Sequence, residues 1–532
     1  MSDLSIQKKL EYEEDDSNSL NEFKVSDREA DATLSFMEEN KELFHNIEFT
    51  EEESTSLDRK LKYILFPLIF TINTILFIDK ATLSYASILG LFTSTNINSK
   101  QYDDLNSIFY AGYTVGQLLN YVLQKTSLKW FMTGTLFTWS VIVFAHCGAD
   151  NFGGLVILRL LLGITESIIT PALEITMLQF FTPQQRATLQ PVFWCSCVGT
   201  SVIIAGFIAY GVLHTNVIPP WKIFMIITGG LTLIITAISA YLYPADPSKA
   251  NFLTKKERYY LIKRIQNSSR ASITQHVVKK EQLIECIKDP ISWLFTLFSF
   301  LLMLANNLNY QQNLLYVSLG VDELGSTLVS VAGGGFSAAF HIAGAIFIHY
   351  FPNKSAWVIL GACIPSIASG IAMLTIPWDK KISLLAMLVL GANTYGLAYI
   401  VALGWSTSSA SGTTKRFFRH FMFMFAYGVS NIISPQLWTG KQSNASQPRY
   451  HAAWIVQIVL AWTGSSVVAF VISFILQKRN KERLQLISSN EKSDVGIVVK
   501  HDSENNEEIY EQVNIANLDL TDLENKTFIY PL

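Results

Sequence analysis

Long apolar runs separated by short polar stretches fill the chain from about residue 62 to residue 476. Each run is near the ~20 residues a helix needs to cross a bilayer. Twelve such runs lie near 62–88, 105–124, 130–148, 153–178, 188–213, 221–243, 290–317, 325–350, 355–376, 382–405, 417–438 and 452–476. A long polar segment, 245–289, divides them six and six, and it holds ten Lys and Arg residues. The pattern predicts an all-α membrane protein with twelve transmembrane helices in two six-helix halves. Its expected parts are an acidic tail (1–58), an N-terminal half (59–244), a basic linker (245–289), a C-terminal half (290–477) and a second polar tail (478–532). Both tails read as mostly disordered, apart from short segments near 30–40 and in LDLTDLENKTFIYPL.

Composition agrees with a membrane protein. Half of the 532 residues are hydrophobic and only 16% are charged, less charge than a soluble protein of this size carries. The first 58 residues lack the basic start and apolar core of a cleavable signal. Charge sets the expected orientation through the positive-inside rule. One set of connections holds Arg59, Lys60, Lys62, Lys125, Lys129, Arg186, the basic linker, Lys354, Lys415, Arg416, Arg419, Lys478, Arg479, Lys481 and Arg483. The opposite set holds only Lys100, Lys222, Lys380, Lys381, Lys441 and Arg449. Both termini are therefore expected in the cytosol, with the plasma membrane as the expected location and the endoplasmic reticulum as the alternative.

Several polar residues fall inside the apolar runs. A charge at mid-membrane costs at least about 2.5–3.5 kcal/mol by insertion scales, so each is a functional-site hypothesis. Arg159 and Glu166 in the fourth run are seven residues apart, which returns them to nearly one helix face, roughly 10 Å apart along the axis. They read either as a structural ion pair or as a substrate cation with a proton-carrying carboxylate. Asp79 and Lys80 in the first run point about 100° apart. Either Lys80 faces a cavity and Asp79 a neighbouring helix, or both snorkel to the membrane surface. In the seventh run, ANNLNYQQNLLY (305–316) places Asn307, Tyr310 and Gln311 on one face, with Asn306 and Asn309 pointing elsewhere. So many polar groups suggest a locally unwound helix or a wet cavity wall. Asn393 joins these as a cavity candidate. Gly333, Gly334 and Gly335 suggest a kink in the eighth run, and Gly199 and Gly206 suggest close helix packing. The five cysteines read as packing residues.

No phosphate-cradling loop, catalytic triad or metal-ligand cluster is visible, so no enzyme, cofactor, metal or nucleic-acid role is expected. Asn444 begins the one glycosylation sequon on the expected outer face.

The stretches FIDKATLSYA (77–86), RLLLGITES (159–167), YPADPSKANFLTKKER (243–258), SGTTKR (411–416), SNIISPQLW (430–438) and QPRY (447–450) together resemble the fungal allantoate permease-like branch of the major facilitator superfamily, among the anion:cation symporters. The resemblance runs from about residue 60 to the C-terminus. It implies alternating access around a central site and proton-coupled uptake of a small organic anion or zwitterion by a monomer, with cysteine as the first guess. It carries substrate and coupling roles onto Lys80, Arg159 and Glu166. The family's usual Asp-Arg is Asp79-Lys80 here, and Lys lacks the two-pronged fork of Arg. The full expectation is substrate contact by Lys80, Arg159, Asn307, Tyr310, Gln311 and Asn393, and proton coupling by Glu166 and Asp79. The alternatives are a permease for another organic anion (allantoate, nicotinate, pantothenate or sulfonate) and a non-transporting nutrient receptor.

Overall fold

The protein is described by a computed structural model covering residues 34–40, 43, 49–215, 218–269, 278–438, 449–489, 495–501, 508–514, 519–526 and 528–532. The sequon at Asn444 lies outside these residues. Ten helical stretches among them are long and apolar enough to cross a membrane. They are spans 1 (Glu51–Ile88), 3 (Leu128–His146), 4 (Phe152–Phe180), 5 (Val192–Val212), 6 (Pro220–Leu242), 7 (Pro290–Ser318), 8 (Glu323–Tyr350), 9 (Ser355–Thr375), 10 (Lys381–Ser408) and 12 (His451–Gln485). Spans 2 (Ser99–Gly116) and 11 (Thr413–Ile433) complete the twelve-helix fold. Their apolar character is diluted by Asp103, Asp104 and Asn106 in one, and by Lys415, Arg416, Arg419 and Asn431 in the other.

The helices break where their residues dictate. In span 4, Pro171 has no N–H to offer the carbonyl four residues back. That carbonyl, of Ser167, instead accepts from Gln117 Nε2 at 3.1 Å, and the helix is interrupted between Glu166 and Ile169. Span 7 opens between Met303 and Leu308, in the Asn-rich stretch where unwinding was expected. Span 8 runs unbroken through Gly333–Gly335, so these glycines do not kink it. They let span 5 approach: a Cβ on Gly199 would lie 2.5 Å from Ala338, and one on Gly334 3.1 Å from Val202. Spans 2 and 4 pack still closer. A Cβ on Gly163 would stand 2.0 Å from the Phe109 carbonyl oxygen, and one on Gly112 2.1 Å from that of Leu160.

One end of the bundle carries the linker and both tails; we call it the terminus end and the opposite one the far end. The first helix begins at Glu51, eight residues before the expected start of the N-terminal half. Thr50 and Glu53 form a reciprocal capping box there. This helix docks on the linker helix Lys255–Ser269 through Lys60–Glu257 (2.8 Å), Lys256–Glu53 (2.6 Å) and Arg264–Asp58 (2.8 Å). Burial alone raises the Glu257 carboxyl, but the Lys60 ammonium and donors on Thr254 outweigh it and hold the group below its ordinary range. In the C-terminal tail, strands Val495–His501 and Glu508–Asn514 pair antiparallel, and residues 519–526 and 528–532 return to the bundle as a strap beneath the C-terminal half.

A polar cavity between the two halves

A cavity of about 190 Å³ lies between the halves. Spans 1, 2 and 5, with Thr170 of span 4, line it from the N-terminal half; spans 7, 8, 10 and 11 line it from the other. Lys80 is the cation in its wall. Its ammonium sits 4.7 Å from the Phe77 ring centre and 5.0 Å from that of Tyr113, distances at which aromatic faces attract a cation. Among the described residues no carboxylate forms a salt bridge with it, and no Asp or Glu lines the cavity. A buried ammonium held by rings rather than by a counter-ion keeps its charge available to a solute.

Behind Lys80 lie the other intramembrane charges. Asp79 faces span 3, where Trp139 Nε1 donates to its Oδ2 at 2.7 Å. Arg159 is buried and reaches Thr82 Oγ1 at 3.4 Å, while its Nε has no partner. Glu166 is fully buried, its carboxyl within hydrogen-bond reach of that of Asp79, and neither of its oxygens receives a bond from any other described residue. Asp79, Lys80 and Arg159 all lie within electrostatic range of Glu166. The glycine-mediated approach of spans 2 and 4 brings this face close to the centre. Asp79, Arg159 and Glu166 do not line the cavity; they form a buried cluster at the back of Lys80.

The seventh span distributes its polar residues differently from a straight helix. Asn306, within the opening at 304–307, and Asn309 and Tyr310, just past it, line the cavity. Asn309 Nδ2 donates to Tyr395 OH (2.9 Å), and Asn306 Nδ2 to Asn431 Oδ1 (2.6 Å) and Tyr110 OH (3.2 Å). Asn307 and Gln311 turn instead toward the N-terminal half. There Asn106 Nδ2 donates to Asn307 Oδ1 (2.7 Å) and Gln311 Nε2 to Asp103 Oδ1 (2.7 Å). Asn393 lines the cavity, with its Nδ2 bonded to the Val389 carbonyl. Sequence reasoning had not placed Asn306, Asn309, Cys197 or His341 in the wall. Cys197 sits on the π-helical turn Ser196–Thr200, a feature frequent at functional sites that the sequence does not announce.

Hydrogen bonds joining the halves gather from the middle of the bundle to the far end. Tyr110, Tyr310 and Tyr427 meet hydroxyl to hydroxyl (2.8 and 3.3 Å). Tyr102 OH and Ser84 Oγ donate to the Tyr310 carbonyl, and Ser107 Oγ donates to that of Ile432. With Asp103–Gln311 and Asn106–Asn307, these contacts seal the cavity from the far end.

The family model described as the Major Facilitator Superfamily matches residues 69–435, well over half of the chain. The chain belongs to the major facilitator superfamily. This facilitator is similar to the high affinity cysteine transporter of Saccharomyces cerevisiae, at 45% identity over 97% of this chain and 98% of that protein. It is also similar to the allantoate permease of the same yeast, at 28% identity over 96% and 91%. Among solved structures, the D-xylose-proton symporter superposes with a TM-score of 0.56 at 13% identity, over 74% of this chain and 95% of that one, which speaks to the fold alone. The facilitator is thus a multi-pass membrane transporter of small molecules and not an enzyme.

Proposed function

We propose that this facilitator imports cysteine, or a small organic acid close to it, together with protons and by alternating access. The observation that carries this reading is Lys80, a cavity cation without a salt-bridge partner, backed by a carboxylate whose one hydrogen-bond neighbour among the described residues is another carboxyl. The substrate carboxylate binds Lys80. A zwitterion's ammonium meets the neutral oxygens of Asn306, Asn309, Asn393 and the tyrosines. Glu166, beside Asp79, takes and releases the proton. When Glu166 is protonated, Lys80 and Arg159 lose a neutralising charge and attract the anionic end of the substrate; release reverses this. Arg159 acts through the cluster, since it does not line the cavity. Asn307 and Gln311 serve the far-end closure, and Tyr310 serves both closure and cavity.

The terminus end faces the cytosol in this reading, and the membrane is the plasma membrane. The negative interior and inward proton gradient then drive uptake, at about 2.3 kcal/mol per charge per 100 mV. The absence of a carboxylate among the described cavity residues favours one second reading, a simple organic anion such as allantoate or a sulfonate. Purified protein in liposomes with an imposed proton gradient tests the proposal. Accumulation of labelled cysteine above its outside concentration, abolished by a protonophore, is expected. Saturable uptake of an organic anion with none of cysteine selects the second reading. No uptake of any tested solute overturns transport in favour of a receptor.

A further inference from the structure

The terminus end of the C-terminal half concentrates cations: Lys279, Lys415, Arg416, Arg419, Arg479 and Arg483. The nearby helix Lys280–Lys288 and the start of span 7 supply Glu285 and Asp289, which pair with Lys415 (2.6 and 3.6 Å), Arg419 (2.8 Å) and Arg479 (2.9 Å). The strap supplies two more carboxylates. Asp519 accepts from Thr413 N and Oγ1 (2.7 and 2.6 Å) and faces Lys279 at 3.4 Å. Asp522, fully buried, pairs with Lys415 at 2.8 Å and accepts from Tyr530 OH at 2.9 Å. Burial alone raises the Asp522 carboxyl, but Lys415 and Arg419 outweigh it and hold the group below its ordinary range.

The remaining contacts read the strap's backbone. Arg483 donates to the carbonyls of Asp522 and Phe528. Asn480 donates to the Tyr530 carbonyl and accepts from its N–H, both at 2.8 Å. Trp405 Nε1 donates to the Pro531 carbonyl at 2.8 Å. Spans 10, 11 and 12 and the helix Lys280–Lys288, through Gln282 and Glu285, thus converge on one short segment, the geometry of a receptor holding a peptide.

Arg186, on the connection before span 5, has no salt bridge among the described residues. Glu174 attracts it, and Arg416 is close enough for the two cations to repel. Burial first, then Arg416, pushes the Arg186 guanidinium down to about 10. The attractions that offset the charge of Arg416 come from Asp519 and Asp522. Without the strap, the six cations named above face two carboxylates; with it, four.

We propose that this face is a peptide-binding socket for an acidic and aromatic segment, filled by the chain's own residues 519–532, and that its occupancy lets the terminus end close by offsetting Arg416–Arg186 repulsion. The socket stands independently of the substrate. The effect on closure rests on the alternating access proposed above.

A protease site inserted between residues 516 and 517 of the full-length protein allows the strap to be cut after folding, so biosynthesis is untouched. The cut peptide is expected to co-elute with the transporter in gel filtration. It is expected to be lost when Asp519 and Asp522 are both changed to Asn, the protein still eluting as a single species. Loss from the otherwise unchanged protein, or equal retention by the double variant, overturns the socket. Should the double variant not elute as a single species, a labelled synthetic 517–532 peptide is added to the cut protein after a high-salt wash. Saturable rebinding supports the socket, and none overturns it. Peptide loss is expected to slow uptake about fivefold with little change in apparent KM, and Arg186→Gln to restore at least half of the rate. A rate that does not change on loss, or is not restored, overturns the effect on closure. Retention holding while cysteine is not transported faults the substrate reading and not the socket.

Discussion

In the N-terminal half, Asp79, Lys80, Arg159 and Glu166 are buried without one salt bridge among the described residues, and three carboxyl oxygens receive no bond from outside the cluster. At the terminus end of the C-terminal half, Glu285, Asp289, Lys415, Arg419, Arg479 and Asp522 are joined by five. Both clusters hold charges away from water, which costs several kcal/mol per ion unless partners compensate. The second is compensated: its salt bridges tie four elements and the strap into one arrangement, and among its groups Arg479 alone keeps a buried nitrogen, Nη1, without a partner. The first keeps its capacity unspent. A cation beside a cavity and a carboxylate free to accept a proton are costly as structure and useful as chemistry. Degree of pairing, more than burial or charge count, separates a working cluster from a scaffolding one.

Substitutions break or sharpen this contrast. Lys80→Ala should abolish saturable uptake, at least a hundredfold in rate over KM, with thermal stability unchanged or raised; Lys80→Arg should keep a measurable rate. Uptake by Lys80→Ala at the unmodified level would remove Lys80 from the site. In the paired cluster the order reverses. Asp289→Ala strands Arg419 and Arg479 and should cost about 3–5 kcal/mol of stability, while protein that does fold keeps its apparent KM. A stable variant with altered KM would dissolve the distinction. Gly163→Ala forces spans 2 and 4 apart and should cost about 1–3 kcal/mol by overpacking, read as a lower unfolding temperature in detergent. Tyr113→Leu removes one ring beside Lys80, an interaction worth about 0.5–2 kcal/mol. It should raise apparent KM up to about tenfold while Tyr113→Phe does not; equal effects would point to the hydroxyl instead.

The smallest expected effect is one of pH on the strap. The Asp522 carboxyl lies below its unfolded value of 3.8 in the docked state. Its contribution is therefore fully present above pH 3.8 and is lost only as pH falls through the lower, docked value. Retention of the cut peptide should be flat from about pH 5 to 8. A loss near neutrality would mean that another group controls docking.

Much of this was legible in the sequence. Runs of ~20 apolar residues forecast the spans, and the Asn cluster at 305–309 forecast the opening in span 7. The Arg159–Glu166 spacing forecast a shared, buried face. What stayed hidden depends on tertiary contact. Helical periodicity put Asn307, Tyr310 and Gln311 on one face, and the turn is kept, with Gln311 N bonded to the Asn307 carbonyl. But that face meets Asn106 and Asp103 of span 2, and only tertiary packing shows that Asn306 and Asn309 reach the cavity beside Tyr310. That Lys80 lines the cavity while Asp79, Arg159 and Glu166 do not is set by tertiary packing. Trp139 as the partner of Asp79 lies sixty residues away and leaves no local trace. Other signals were present but faint. Thr50 and Glu53 spell a capping box, and Asp519, Asp522 and Tyr530 fall in LDLTDLENKTFIYPL, the segment set apart from the rest of the tail, whose partners on spans 11 and 12 left no mark in it.

The central claim is that the unpaired cluster carries the proton. Its most direct test compares unmodified protein and Glu166→Gln in liposomes, measuring proton-driven accumulation and substrate exchange at equal pH on both sides. The account predicts that Glu166→Gln loses accumulation while exchange continues. Accumulation at the unmodified level, collapsing with a protonophore as before, would contradict it.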